Sequence, residues 1–331
     1  VVGTETNYLP ARYDWTTYTW TSGTTASVDD AANIIGDPWL TNTDNIFGDY
    51  TVGETGSFGA VTTYYSIGSG LWSDVSNWST VGHAGPVAGT IPGAGDAVII
   101  GDNDSIYLAN PSNTTPDEDV QNCASLQIEV GAALDITYNP SSDFGMVLNH
   151  PNGNGNFRIA ASYTNTSSFA FPSGDFSDFN VNLGTTELYT VNGIAGTYFF
   201  IPNGVFEYGS LILSPLGGSN IIFPNHDLTL YGSLYTRGED ADSWFCPMWI
   251  FQTPYPTAPT VPVAKTITIL GNMEIQGGAL VWIGNGNLAQ DFVVHGDVIV
   301  SQWAAITGWT GWGGATNQSL SIGGSLINNT Q

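Results

Sequence analysis

The chain has 331 residues, with 29 Asp and Glu against four Lys and Arg and a formal charge of -25. That balance excludes nucleic acid and anionic membrane surfaces as partners, because both are bound mainly through Lys and Arg. The 41 Gly, with many Asn, Thr and Ser and few Leu-, Ala- or Lys-rich runs, argue against helices and for an all-β chain.

No apolar run reaches membrane-spanning length, so no membrane insertion is expected, and no signal peptide or initiating Met is visible. The first stretch, 1–63, shows no regular period. It carries scattered aromatics (Tyr13, Trp15, Tyr18, Trp20, Trp39, Phe47) among polar turns. An irregular N-terminal cap or small separate domain is the expectation, since the first coil of a repeat stack needs its open edge covered. From Tyr64 the pattern changes. Trp72 and Trp78 sit in a Gly/Ser/Asn setting, and Pro92 with Gly95-Asp96 leads into alternating residues at 97–100.

The central stretch, 206–235, states one phrase twice: F-E-Y-G-S-L-I-L and L-T-L-Y-G-S-L-Y. Alternation marks a strand with one buried face, and the Gly marks a bend where a Cβ would be in the way. Gly209 and Gly232 lie 23 residues apart, a repeat period and not a hairpin spacing. Comparable glycines are Gly131, Gly184, Gly271, Gly296 and Gly324, so that the gaps run 53, 25, 23, 39, 25 and 28. Gaps in the twenties are single coils. The gap of 53 fits two coils, with 157–161 (FRIAA) between them, and that of 39 fits one coil and an insertion.

The expected fold is therefore a right-handed parallel β-helix over 64–331, with insertions at about 237–263 and 301–318. Residues flanking the glycines should line its core: Ile128, Val130, Leu134, Val181, Leu183, Leu228, Leu230, Leu234, Ile267, Ile269, Met273, Ile275, Phe292, Val294, Val298, Val300, Leu320, Ile322 and Leu326. The last phrase, 320–326, is followed by five residues and no capping segment, so the chain reads as an excerpt of a longer one.

The order G-x-W-x(5)-W, then I-P-x-x-G-D-x-V-I-I, then C-x-S-L-x-I-x-x-G-A-x-L at 123–134 resembles the start of β-helical repeat regions in large secreted proteins of Bacteroidota. A later phrase of the same proteins (apolar, Pro, x, Gly, x, aromatic, then alternating Leu and Gly) has divergent counterparts at 171–184, 201–209 and 223–232. Gliding-motility adhesins and other cell-surface proteins exported by the type IX secretion system belong to that group. The resemblance implies an extracellular or cell-surface location and the type IX machinery as partner during export. It also implies that Asp104-Ser105-Ile106 fits the Asp-Ser/Thr-apolar pattern of O-glycosylation at Ser105.

Parallel β-helices often act on acidic polysaccharides, with paired carboxylates dividing the acid and base roles. The dense carboxylate groups are Asp102/Asp104, Asp117/Glu118/Asp119 and Glu239/Asp240/Asp242, all in Gly/Pro/Asn-rich sequence. They read as solvated loop charges. Calcium is the one candidate cofactor, with Asp102, Asp104, Glu239, Asp240 and Asp242 as its ligands. With Arg158 and Arg237 the basic residues of the central coils, a polyuronide would be poorly held. His83, His150, His226 and His295 lack ligand spacing and read as turn residues. Cys123 and Cys246 leave two readings, a disulfide or two buried thiols.

The contact candidates are Trp244 and Trp249 in the Pro-rich insertion and Trp303, Trp309 and Trp312 in the later one, where exposed rings stack on sugars or a protein partner. Packing of these loops onto the coil wall is the alternative. Together these features point to a non-catalytic structural or adhesive segment, with a surface polysaccharide or another surface protein as partner. A carbohydrate-binding module and a β-helix polysaccharide lyase or hydrolase are the competing readings.

Overall fold

Residues that alternate in polarity form many of the strands of a computed structural model, and those strands bury one side. Leu228–Leu230 and Met273–Ile275 bury both ends and leave the middle residue half-exposed. The structure describes residues 8–14, 19–22, 28–29, 34–35, 50–54, 61–108, 120–136, 142–160, 166–169, 171–190, 198–214, 220–224, 226–236, 265–276, 280–283, 290–301, 304–308 and 319–329. It is predominantly β, with one α-helix among the described residues, Ser177–Val181.

The longest sheet has ten strands, running Gly70–Leu71, Ser105–Tyr107, Ala133–Asp135, Asn156–Ala160, Thr185–Tyr189, Ser210–Ser214, Leu234–Thr236, Met273–Ile275, Val298–Ser301 and Leu326–Asn329. Every neighbouring pair in it is parallel. A five-strand parallel sheet joins Glu207–Tyr208, Leu228–Leu230, Lys265–Ile269, Gln290–Val294 and Ser319–Ile322. A six-strand sheet contains Ala97–Ile100, Ser125–Ile128, Asp143–Leu148 and Ser173–Asp175, and is antiparallel where Thr63–Ser66 meets Trp78–Ser79. Shorter parallel pairings link Thr166–Ser168, Tyr198–Phe200 and Asn220–Ile222, and Leu280–Ile283 with Ala305–Gly308. Between Tyr198 and Thr236 the described chain visits the same three sheets twice in one order, and between Leu280 and Asn329 it again visits three sheets twice in one order.

In-register stacking turns one position of each repeat into a continuous core column. Ile106, Leu134, Phe157, Thr186, Leu211, Leu234, Met273 and Val298 face one another in succession, all at most 1% exposed. Truncating one of these apolar side chains to Ala costs about 2–5 kcal/mol. At the early end, Trp72 and Trp78 are fully buried with their rings 5.0 Å apart. Trp78 Nε1 donates to the Trp72 carbonyl at 2.8 Å, which gives the W-x(5)-W spacing its physical cause.

The repeat glycines stack as well. Gly232 N–H donates to Gly209 O, Gly271 to Gly232, Gly296 to Gly271 and Gly324 to Gly296, at 2.7–3.0 Å. A Cβ on Gly271, Gly296 or Gly324 would sit 2.6–2.8 Å from the carbonyl oxygen of the glycine before it, so only Gly lets the corners approach. The residue after each Gly forms a second column. Ser210 Oγ accepts from Ser233 N, Ser233 Oγ from Asn272 N, Asn272 Oδ1 from Asp297 N, and Asp297 Oδ1 from Ser325 N, at 2.7–3.2 Å.

Thirteen of the nineteen residues expected to line the core are buried, and six are not. Val130 is mostly exposed because it lies in the turn that follows Ser125–Ile128. Val181 and Leu183 are exposed because 177–181, read as alternating, is helical and buries Phe179 and Asn180 instead. Leu183 has φ 63, and the Phe179 ring fills the space beside Gly184. Leu320, Ile322 and Leu326 keep exposed surface because they belong to the outermost strands of their sheets.

The chain divides into two compact units, Val1–Thr63 with Gly95–Ala97, and Tyr64–Ala94 with Val98–Gln331. In the first, Tyr8–Asp14 pairs antiparallel with both Thr19–Ser22 and Tyr50–Glu54, and Val28–Asp29 with Ile34–Ile35. The parallel sheets belong to the second.

Candidate functional site

Two clusters of ionisable side chains join strands from different layers, one at strand ends and one on a sheet face. The first lies at the carboxyl ends of the six-strand sheet. Glu129 follows Ser125–Ile128, His150 follows Asp143–Leu148, and His83 comes from the loop after Trp78–Ser79. Both imidazoles approach the same carboxylate oxygen, with His150 Nε2 3.1 Å and His83 Nε2 3.5 Å from Glu129 Oε1.

Their tautomers follow from the remaining partners. His83 Nδ1 lies 2.7 Å from the Ser66 carbonyl, which only accepts, so Nδ1 carries the proton and Nε2 presents its lone pair in the neutral ring. His150 Nδ1 accepts from Asn152 N–H at 3.3 Å, leaving its Nε2–H to donate to Glu129. The Tyr65 ring meets the edge of His83 at 5.3 Å. Gly101 makes the room, because a Cβ there would collide with Glu129 Oε2 and the His83 ring. The result is a carboxylate fixed by one imidazole and faced by the basic nitrogen of another. It ties together the ends of strands from three layers.

The second cluster stands on the outward side of the ten-strand sheet. Asp135, Arg158 and Glu187 occupy one register column, so a single Arg lies between two carboxylates. Arg158 Nη1 donates to Asp135 at 3.1 Å and its Nε to Glu187 at 2.8 Å. Tyr189 Oη donates to the Asp135 carboxylate at 2.7–2.8 Å, its ring lies 4.6 Å from the guanidinium, and Ser214 Oγ donates to Glu187 at 2.8 Å. Burial opposes the guanidinium charge, but Asp135 and Glu187 together outweigh it and raise the Arg158 pKa. Burial and then the Asp135 carboxylate push the Tyr189 hydroxyl upward. Chemically this is a satisfied charge network that joins four successive layers.

All five contact residues named from sequence, Trp244, Trp249, Trp303, Trp309 and Trp312, lie outside the described residues, as do Cys246, Arg237, Glu239, Asp240, Asp242 and the group Asp117/Glu118/Asp119. Cys123 is buried, with Sγ 3.8 Å from the Phe144 carbonyl. Asp102 and Asn103 take positive φ in the turn before Ser105–Tyr107, with Asp102 exposed. One oxygen of Asp104, Oδ2, is buried without a hydrogen-bond partner. Ser105 is half-buried, and its N–H donates to Ser69 Oγ. Among the described residues, no group of three or more His, Cys, Asp or Glu is arranged to hold a metal ion, and no helix is long and apolar enough to cross a membrane.

The His83–Glu129–His150 meeting was not readable from local spacing, because strand pairing joins residues far apart in the chain. The one available signal was their position just after successive strands. Comparison with protein-family models, curated proteins and solved structures finds no match to this chain.

Proposed function

We propose that the parallel sheets of residues 64–331 are the walls of a right-handed parallel β-helix, and that this stack serves as a non-catalytic structural or adhesive segment. The carrying observation is the ten-strand parallel sheet, one member per pass of the chain. Nine junctions at the usual interstrand spacing give a continuous wall about 43 Å long. Right-handedness follows from the strong preference of parallel crossover connections.

The use made of the charged side chains supports a structural role. Asp178 accepts from Asn149 N, Asp227 from Thr266 N, Asp291 from Ser319 Oγ and Asp297 from Ser325 N, each across a layer junction. Arg158 is committed to two carboxylates at once. The resemblance of the repeat phrases to Bacteroidota surface proteins extends the proposal to export by the type IX system and to a place outside the cell. The Trp-bearing insertions would supply the contacts.

The test is incubation with a panel of plant, marine and host polysaccharides, read by mass spectrometry for products and by retention of protein on the immobilised glycan. The expected result is no new unsaturated or reducing ends. Cleavage would overturn the non-catalytic reading, and retention without cleavage would assign the Trp insertions a carbohydrate-binding role.

A further inference from the structure

The Arg158 network shows how this chain receives a guanidinium. The cation lies 4.6 Å from the centre of the Tyr189 ring, and the same tyrosine donates its hydroxyl to Asp135, the carboxylate that pairs with the arginine. Ring and carboxylate are thus fixed to each other, and the cation meets both at once. Tyr189 stands two residues beyond Glu187, which is in register with Arg158.

The same parts recur without an arginine beside Gly209 and Gly232. Tyr231 stands two residues beyond Thr229, which is in register with Glu207, and its hydroxyl donates to the Glu207 carboxylate. Glu207 is exposed and has no ion-pair partner among the described residues. Phe206, next to it in the chain, is 58% exposed. The His226 ring lies against Phe206 with centroids 4.2 Å apart and planes inclined by 34°, and its Nδ1–H donates to the Asp227 carbonyl at 2.7 Å. One face of Phe206 is therefore backed by a held ring, and its exposure belongs to the opposite face and the rim. A backed ring beside a carboxylate loses little freedom when a ligand arrives.

The electrostatics select the ligand. An aromatic face attracts a cation, Glu207 supplies the countercharge, and the formal charge of -25 draws cations to the surface at large. A planar guanidinium stacks on the ring and pairs with the carboxylate together, whereas an ammonium is a strongly hydrated point charge and a neutral sugar gains nothing from the field. We propose that Phe206, Glu207 and Tyr231 form a binding site for an arginine side chain of a basic polypeptide partner, with the guanidinium stacked on Phe206 and paired with Glu207. The site needs only this local arrangement and not the non-catalytic or adhesive role, so either reading can fail alone.

The probe is the peptide acetyl-Gly-Arg-Gly-amide, titrated into the full chain carrying isotope-labelled Phe and Tyr rings and followed by NMR. Saturable shifts of the Phe206 and Tyr231 signals are expected, weakening as salt rises. The same peptide with citrulline, an uncharged isostere of arginine, should give none. Glu207→Gln keeps an acceptor for the Tyr231 hydroxyl but removes the charge. That variant and Phe206→Ala, both read at Tyr231, should each weaken binding by about threefold or more, with melting temperature unchanged because both side chains are exposed. No saturable shift with the arginine peptide, an equal shift with the citrulline peptide, or undiminished binding to Glu207→Gln would overturn the proposal. Shifts of the same signals with cellopentaose and none with the arginine peptide would overturn the choice of ligand and assign the ring to a glycan.

Discussion

The layers at 120–190 and those at 198–329 solve one problem by different means. In the earlier layers the strand ends are tied by particular side chains: Glu129 with two imidazoles, Arg158 between two carboxylates, and the Phe179 ring beside Gly184. In the later layers a single rule is repeated, a corner Gly followed by a residue with a side-chain oxygen. A stack can thus be held by unique long-range contacts or by a short local rule. The first is costly to break at one residue, and the second spreads its stability over many positions.

The largest effect should come from breaking the early device. Arg158→Ala leaves Asp135 and Glu187 facing each other without a cation, and should cost about 3 kcal/mol in urea unfolding. This is the low end for a broken buried pair, because the Arg158 side chain is 32% exposed. In the later layers Gly271→Ala places a Cβ 2.7 Å from Gly232 O and 2.5 Å from Ser233 Oγ, for about 1–3 kcal/mol by the same measurement.

Alkaline pH sharpens the comparison further. Burial raises the hydroxyls of Tyr189 and Tyr208 above their ordinary value of about 10, with the Asp135 carboxylate adding to the shift at Tyr189. Above that pH the unfolded chain releases these protons first. The stability they confer is therefore complete below pH of about 10 and declines as the pH rises further, by up to about 1.4 kcal/mol per pH unit for each group. Tyr208→Phe should remove its share of the slope without lowering neutral-pH stability, since its hydroxyl is buried with no hydrogen-bond partner. Tyr189→Phe should remove a similar slope but destabilise at neutral pH, because Asp135 loses a donor. The smallest effect belongs to Ser233→Ala, which withdraws one acceptor from Asn272 N–H at a cost of about 0.5–1.5 kcal/mol in thermal unfolding.

The same contrast explains what the sequence revealed. Alternation around Gly209, Gly232, Gly271 and Gly296 announced strands, and the recurring phrase marks strands that pair in parallel. The polar residue after each of those glycines was equally visible, as Ser210, Ser233, Asn272 and Asp297. Its meaning required knowing that one layer's side chain meets the next layer's N–H. The helix Ser177–Val181 was misread because V-N-L before Gly184 alternates over too few residues to separate a strand from a helical turn. His83, Glu129 and His150 gave no local motif, since their proximity is created by strand pairing and by the loop that carries His83.

The central claim is the parallel in-register stacking of successive passes, and paired cysteines test it most directly. Tyr235 and Glu274 face each other in adjacent parallel strands although 39 residues separate them, whereas Gln276 lies one outward position further along. In a background of Cys123→Ala and Cys246→Ser, the pair Tyr235→Cys with Glu274→Cys should oxidise readily to an intramolecular disulfide, since parallel neighbours fall within bridging distance. The pair Tyr235→Cys with Gln276→Cys should not. Cross-linking of the second pair in preference to the first, or of neither, would contradict the register on which the account depends.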